Sequence, residues 1–271
     1  WWPTALHFNT TEKHMDNPEV RWAINRYIDR DTLIDFAFDG HGEKSVWPMP
    51  PFAGLQASFD NLADLEEEYQ PGLYDPAEGD ARLEAAGYTK NSDGIWADAD
   101  GDTIKCPIVS LPHFSDSGPI IVEMLRQNGI DASFSVPPDT GTLMAGGDYI
   151  CGMWGHNGAM SGNIYRTLLL YTTGDAGNWW QYSNAEFDAI VEELAVTADE
   201  ATVRELEHAA MELYLADMPE VNITQFYNRT GNNGRYWSNW PSTVSDPYMN
   251  GIQMHTGFPY TILQLEATDA Q

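Results

Sequence analysis

The stretch KCPIVSLPHFSDSGPIIVEMLRQNGIDASFSV, residues 105–136, reads as a strand, a helix and a second strand. An apolar strand-like run ends near Leu111. Ile120, Ile121, Met124 and Leu125 then recur at helical spacing, Gly129 ends the helix, and IDASFSV supplies the next strand. A helix between two strands is the signature of an α/β fold. Upstream, NPEVRWAINRYIDRDTLIDFAF predicts a helix capped by Asn17 with Pro18 at its first position, burying Val20, Ala23, Ile24, Tyr27 and Ile28. A second short helix follows Asp31 and ends at Gly40 and Gly42. Residues 43–74 read as a long ordered loop or a set of short turns. YDPAEGDARLEAAGY restarts helix, with Asp75 as cap, Pro76 first, Glu78 placed for a capping box and Gly87 as terminator. DGIWADADGDTIKCPIVSL reads as a hairpin. Downstream, DYICGMW is a strand. Ser183 with Glu186 and Thr197 with Glu200 box two more helices, Pro219 stops the second, and EVNITQFYN is a strand.

The chain has 271 residues, 42% of them apolar, enough to bury an ordinary core. Its 41 acids against 13 bases give a net charge of -28, a field that opposes nucleic acid and anionic membrane surfaces. Such acidity also suits a protein solvated in salty water. No apolar run is long enough to span a bilayer, and WWPTALHFN is neither a basic leader nor a lipid-attachment signal. Cys106 and Cys151 are too few for a disulfide scaffold and wrongly spaced for zinc; whether they are bonded stays open.

Motifs for chemistry are sparse. Asp98, Asp100 and Asp102 begin a calcium-loop spacing, but Thr103 and Val109 stand where that loop needs Gly and Glu, so a turn is expected. The seven histidines form no metal-binding pair on a common helix, and no nucleophile elbow or phosphate-cradling glycine motif is present. No catalytic residue, metal or cofactor is therefore expected. Aromatic residues say more, because many stand in loops rich in Gly, Pro and Asn: Trp47, Trp154, Trp179, Trp180, Trp237 and Trp240. Flat indoles beside hydrogen-bonding side chains suit a sugar face or peptide side chains. His156 and Asn157 follow Trp154 in the uncharged stretch YICGMWGHNGAM, and Arg166 is a candidate polar anchor, with an ion pair to a carboxylate as its plainer role.

Five stretches together carry a family resemblance: HFNTTEKHMDNPEVRWAINRYIDRDTLIDFAFDGHG, YDPAEGDARLEAAGY with DGIW, IIVEMLRQNGIDASFSV, YSNAEFDAIVEELAVTADEATVRELEHAAMELYLADMPEVNI, and the tail from Tyr227. They resemble the large extracytoplasmic solute-binding proteins (family 5) of ABC importers for oligopeptides, dipeptides, nickel and oligosaccharides. The resemblance implies the C-terminal half of such a protein, the C-terminal lobe of a two-lobed periplasmic-binding-protein-like α/β fold with hinge-crossing strands. Residues 1–15 would be an extended crossover segment, 16–220 the second lobe, and 221–271 a crossover strand and a tail returning to a first lobe. It also implies a periplasmic or extracytoplasmic monomer, compatible with a lipid anchor on an N-terminus outside this sequence, that traps solute without covalent chemistry and delivers it to an ABC permease. In peptide-binding members the strand ends in Trp, and an Asp three residues later holds the peptide ammonium. Here Trp154 matches and Asn157 replaces the Asp, with Asp148 or Asp175 as substitute anchors. RYWSNWPSTVSDPYMNG resembles the oligosaccharide branch. The expectation is thus a neutral oligosaccharide ligand; the alternatives are an oligopeptide or dipeptide, or, from another class, a carbohydrate-active enzyme or glycan-binding adhesion module.

Overall fold

A computed structural model of the chain describes residues 2–51, 53–156, 164–226, 233–240 and 258–269. It begins with β1 (Trp2–Phe8), then α1 (Pro18–Tyr27) and α2 (Arg30–Phe38). The Asn17 side chain accepts the Glu19 N–H to cap α1, as its sequence predicts. The cap of α2 is Asp29, which accepts from Asp31 and Thr32, two residues before the position expected. Residues 43–74 form more regular structure than the loop expected: β2 (Glu43–Lys44), a 3-10 turn, α3 (Gln56–Asn61) and α4 (Ala63–Tyr69). Leu55, Leu62 and Leu65 are buried there, and such short helices gain their stability from packing rather than from periodicity.

Next come α5 (Pro76–Ala85), β3 (Thr89–Lys90), β4 (Trp96–Ala97), β5 (Lys105–Ser110), α6 (Gly118–Gln127) and β6 (Asp131–Ser135). Asp75 caps α5, but the Glu78 carboxylate binds Arg26 at 2.6 Å and Arg82 at 2.9 Å instead of closing a capping box. The expected hairpin forms over a short span: across the antiparallel Ala97 and Thr103 bridge the Ile104 N–H donates to Trp96 O at 2.9 Å and the Asp98 N–H to Asp102 O at 3.0 Å, and the chain then runs on into β5. β4 also pairs with β3, and β5 pairs in parallel with β6 and with β7 (Cys151–Gly155). The Asp-rich turn between them is closed by Asp98 Oδ1, which accepts the N–H groups of Asp100 and Asp102.

Helix α7 (Thr140–Gly146) precedes β7; α8 (Tyr165–Leu169), α9 (Ala185–Val196), α10 (Glu200–Asp217) and β8 (Glu220–Phe226) follow it. The caps of α9 and α10 are Asn184 and Asp199, not the expected Ser183 and Thr197. The strands form one six-stranded mixed sheet in the order β2-β8-β1-β7-β5-β6. Cys106 and Cys151, both fully buried, are joined by a disulfide between β5 and β7.

Contacts divide the chain into Trp1–Phe226 and Tyr227–Gln271. The strands β1 and β8, expected to be crossovers, pair with each other inside the sheet of the first unit. In the second unit, β9 (Trp237–Ser238) pairs antiparallel with β10 (Glu266–Ala267), which follows α11 (Phe258–Gln264).

Strand alternation sorts side chains onto two faces of the sheet. Leu6 lies opposite Met153 and Val221, and Phe8 opposite Cys151, giving one apolar face. His7 lies opposite Gly152 and Glu220, so the other face carries His7, Trp154, Glu220 and Asn222. That second face builds the candidate site.

Candidate functional site

Glu220 is fully buried, and burial of an unpaired carboxylate would be costly. Four side chains meet that cost. Trp180 donates its indole N–H to Oε2 at 2.9 Å, Tyr171 and Tyr214 donate to Oε1 at 2.8 and 3.0 Å, and His156 Nε2 lies 2.8 Å from Oε1 and 3.0 Å from Oε2. Burial by itself raises the Glu220 pKa, but the His156 charge and hydrogen bond, helped by His7 and Tyr171, outweigh it and hold the carboxyl down to about 2. Tyr171 and Tyr214 are pushed well above the ordinary phenol range, first by burial and then by the Glu220 charge. The carboxylate is therefore ionised and acceptor-only.

His7 is 2% exposed, and among the described residues neither of its ring nitrogens has a hydrogen-bond partner; His156 Nδ1 also lacks one there. Burial lowers the His7 pKa to about 4, against the pull of Glu220 and with a further push from His156. His7, His156 and Glu220 can each offer one donor atom, all within 4.8 Å of one another. Trp180 stacks on both imidazoles, with centroids 4.7 Å from His7 and 5.3 Å from His156.

Above this buried layer lies a cavity of about 130 Å³, with His7, His156 and Trp180 at its base and Trp154, Gly155, Leu170, Gly177 and Trp179 around it. None of these residues is Asp, Glu, Lys or Arg. Trp154 and Trp179, both partly exposed, meet edge to face at 5.0 Å. Gly141 of α7 lies close under Trp154: a Cβ there would lie 3.3 Å from the indole, so the ring would have to give by a few tenths of an ångström. The segment carrying Trp179 and Trp180 is held by Asn178, whose amide donates to Thr172 O and Tyr182 O and accepts from Tyr182 N–H. Asp175 Oδ1 accepts the Gly177 N–H at 2.7 Å and shapes the same wall.

The edge of β7 adds main-chain groups. β5 follows β7 only to the Ser110 and Met153 pair, whereas β1 continues to Gly155, and the His156 N–H donates to Pro3 O at 2.8 Å. Strand alternation then directs the Gly155 main chain away from β1, where no strand pairs with it among the described residues.

The structure brings together Trp154, His156, Trp179 and Trp180. His156 and Trp180 are buried in the layer behind the cavity wall. Trp47 is 4% exposed in the hydrophobic core, with its indole N–H on Glu66, so it presents no open ring face and is left out of the proposed wall. Arg166 is exposed and has no ion pair among the described residues, so the plainer role expected for it is not observed there. Trp237 is half exposed, and Trp240 donates its indole N–H to Trp237 O, both within the second unit. Asn157 lies outside the described residues. Sequence reasoning missed His7, Tyr171, Tyr214 and Glu220; the available signal was a polar residue alternating with apolar ones in ALHF and PEVNI.

The family described as bacterial extracellular solute-binding proteins, family 5 Middle, matches residues 1–179. The glutathione-binding protein GsiB of Pectobacterium atrosepticum is 38% identical over 90 residues, 32% of this chain and 16% of that protein. GsiB of Escherichia coli K12 is 26% identical over 237 residues, 80% of this chain and 41% of that protein. Among solved structures, a mannohexaose-bound periplasmic oligopeptide-binding protein of an ABC transporter from Thermotoga maritima superposes with a TM-score of 0.87 at 21% identity. That superposition covers 99% of this chain and 52% of the other, and it establishes a shared periplasmic-binding-protein-like α/β fold. The chain thus spans about half the length of these last two proteins.

Proposed function

Since the chain belongs to the bacterial extracellular solute-binding proteins of family 5, we propose that it forms the C-terminal half of an ABC-importer component that captures a short peptide between two lobes. The protein works outside the cytoplasm as a monomer, performs no covalent chemistry, and hands its solute to a membrane permease. Ligand shifts such a trap toward closure only by its preference for the closed state.

The observation that carries the peptide reading is the Gly155 edge of β7, unpaired among the described residues, at the rim of an uncharged aromatic cavity. An extended peptide can add its main-chain hydrogen bonds to such an edge while its side chains enter neighbouring pockets. Trp154 and Trp179 then cover an apolar side chain, and Asp175 has Oδ2 left to accept a peptide ammonium. The glutathione-binding relatives support the same class.

A second reading is a neutral oligosaccharide. The Trp154 and Trp179 faces and the uncharged lining favour it, as does the mannohexaose-bound neighbour. The expectation of sugar rested on Asn157, which lies outside the described residues, together with the loop indoles.

Calorimetry on the intact protein decides between the two, using glutathione and di- and tripeptides beside cello-, xylo- and laminari-oligomers. Peptide heats that weaken in Asp175→Asn, with no sugar heat, are expected. Sugar heats without peptide heats would transfer the assignment to the second reading.

A further inference from the structure

We infer that His7, His156 and Glu220 form a binding site for one divalent transition-metal ion at the floor of the Trp154 and Trp179 cavity. The three donors come from β1, from the residue just past β7 and from β8, and lie within 4.8 Å of one another. Two imidazoles and a carboxylate are the donor set of open zinc sites and suit nickel and cobalt equally, whereas calcium and magnesium prefer oxygen alone.

The independent sign of a missing ligand is His7. Its ring is 2% exposed, and both nitrogens lack a hydrogen-bond partner among the described residues, although Nε2 stands only 3.4 Å from Glu220 Oε2. Buried polar groups left this way are rare and costly. An ion on Nε2 and a hydrogen bond from Nδ1 to solvent in the cavity would satisfy both. No hydrogen bond fixes the His7 ring, and a small shift of it in the plane of its stack on Trp180 would bring the donor set toward bonds of about 2.0–2.2 Å.

His156 now directs Nε2 at the carboxylate and leaves Nδ1 empty. An ion takes the Nε2 lone pair, so any hydrogen on Nε2 leaves to Nδ1 or to solvent as the metal binds. A carboxylate has about four lone-pair positions. Tyr171, Tyr214 and Trp180 occupy three on Glu220, and the position now facing His156 is the one the ion takes. These three donors already orient the carboxylate as an outer shell of a metal site does. Entry is through the cavity, which reaches both His7 and His156. The fourth coordination position opens into that cavity, toward water or a donor atom of a captured solute. The site does not depend on which solute is bound.

The test uses the full chain, stripped with chelator and titrated with Co2+ alone. We expect one Co2+ per chain, a visible d–d spectrum of a four-coordinate nitrogen-containing site, and its displacement by Zn2+. His7→Gln should weaken binding more than about tenfold, and Trp180→Phe, which removes a donor to Glu220, about 10–100-fold. Asp100→Asn, on the exposed turn, should change nothing. Binding of several ions per chain, without the d–d bands and unaltered in His7→Gln, would assign the ions to the acidic surface and overturn the proposal. Absence of binding would overturn it equally. Should His7→Gln fail to fold, X-ray absorption at the cobalt edge of the unaltered chain decides: two imidazole shells support the site, and oxygen scatterers alone reject it.

Discussion

At the scale of single residues, the cavity depends on two indoles with different supports. Trp154 is positioned by β7 and by the bare backbone of Gly141, whereas Trp179 is set by the Asn178 turn. Both are partly exposed, so truncation removes ligand contact more than core packing. Trp154→Ala and Trp179→Ala should each lower solute affinity about tenfold or more, near 1.4 kcal/mol, with little change in melting temperature; calorimetry beside thermal melts checks this. A second prediction concerns Glu78. Burial raises its pKa, but hydrogen bonds from Arg26 and Arg82 outweigh burial and hold it below the usual value of 4.5. A carboxyl depressed in the folded state contributes stability above its unfolded pKa and loses it as pH falls through the folded value. Urea unfolding at pH 7, 4.5 and 3 should therefore show a loss below about pH 4.5 that is smaller in Glu78→Gln. The aromatic wall was legible in the sequence because indoles in Gly- and Asn-rich loops have no helical or strand face to join. His7 and Glu220 were not, since they stand 213 positions apart and meet only through the register of β1 with β8.

Among elements, local signals were read well and long-range ones poorly. Asn17 and Asp75 cap their helices through N–H groups two and three residues further on, a signal contained in the local sequence. The hairpin expected across residues 93–111 forms only over residues 96–104, because β5 beyond it gains two parallel neighbours, β6 and β7, which turn chemistry cannot reveal. For α10, two acceptable capping residues stand close together, and the structure uses Asp199, while Thr197 donates its hydroxyl to Glu193 O at the end of α9. Asp199→Ala should thus destabilise by about 1 kcal/mol and Thr197→Ala by less, measured by denaturant unfolding. The packing of α6 on β6 is tighter still. A Cβ at Gly118 would fall 2.0 Å from Phe134 Cε2, with two more ring atoms within 2.7 Å. Helix propensity favours alanine there by about 1 kcal/mol, but the whole ring must move, and overpacking of this kind costs about 1–3 kcal/mol. Gly118→Ala should be destabilising on balance. The disulfide ties the same region: Cys106 and Cys151 are separated by 45 positions, and opening a loop of that length should cost about 2–4 kcal/mol, read as a lower urea midpoint under reductant.

For the molecule as a whole, charge is the dominant long-range property. A net charge of -28 places carboxylates close together over most of the surface, and their mutual repulsion opposes the compact state. Salt acts on this repulsion and on the attractive pairs at once, so the sign of its effect depends on which is larger. The exposed pairs of Lys13 with Asp98, Lys44 with Asp31 and Lys90 with Asp80 are solvent-accessible, and such pairs contribute about 0–1 kcal/mol each. The buried Glu220 network is out of reach of screening ions. Repulsion therefore outweighs what salt removes, and raising NaCl from about 0.01 to 1 M, which shortens the Debye length from about 30 to 3 Å, should raise the melting temperature. Most of the rise should come at the low end, where screening of distant charges changes fastest. Sucrose, which strengthens burial without screening, separates the two causes. A melting temperature that responds to sucrose but stays flat or falls with NaCl would show that the acidic surface carries no net repulsive load. A steep early rise with NaCl would show that carboxylate repulsion, and not weak burial, limits the stability of this chain at low ionic strength.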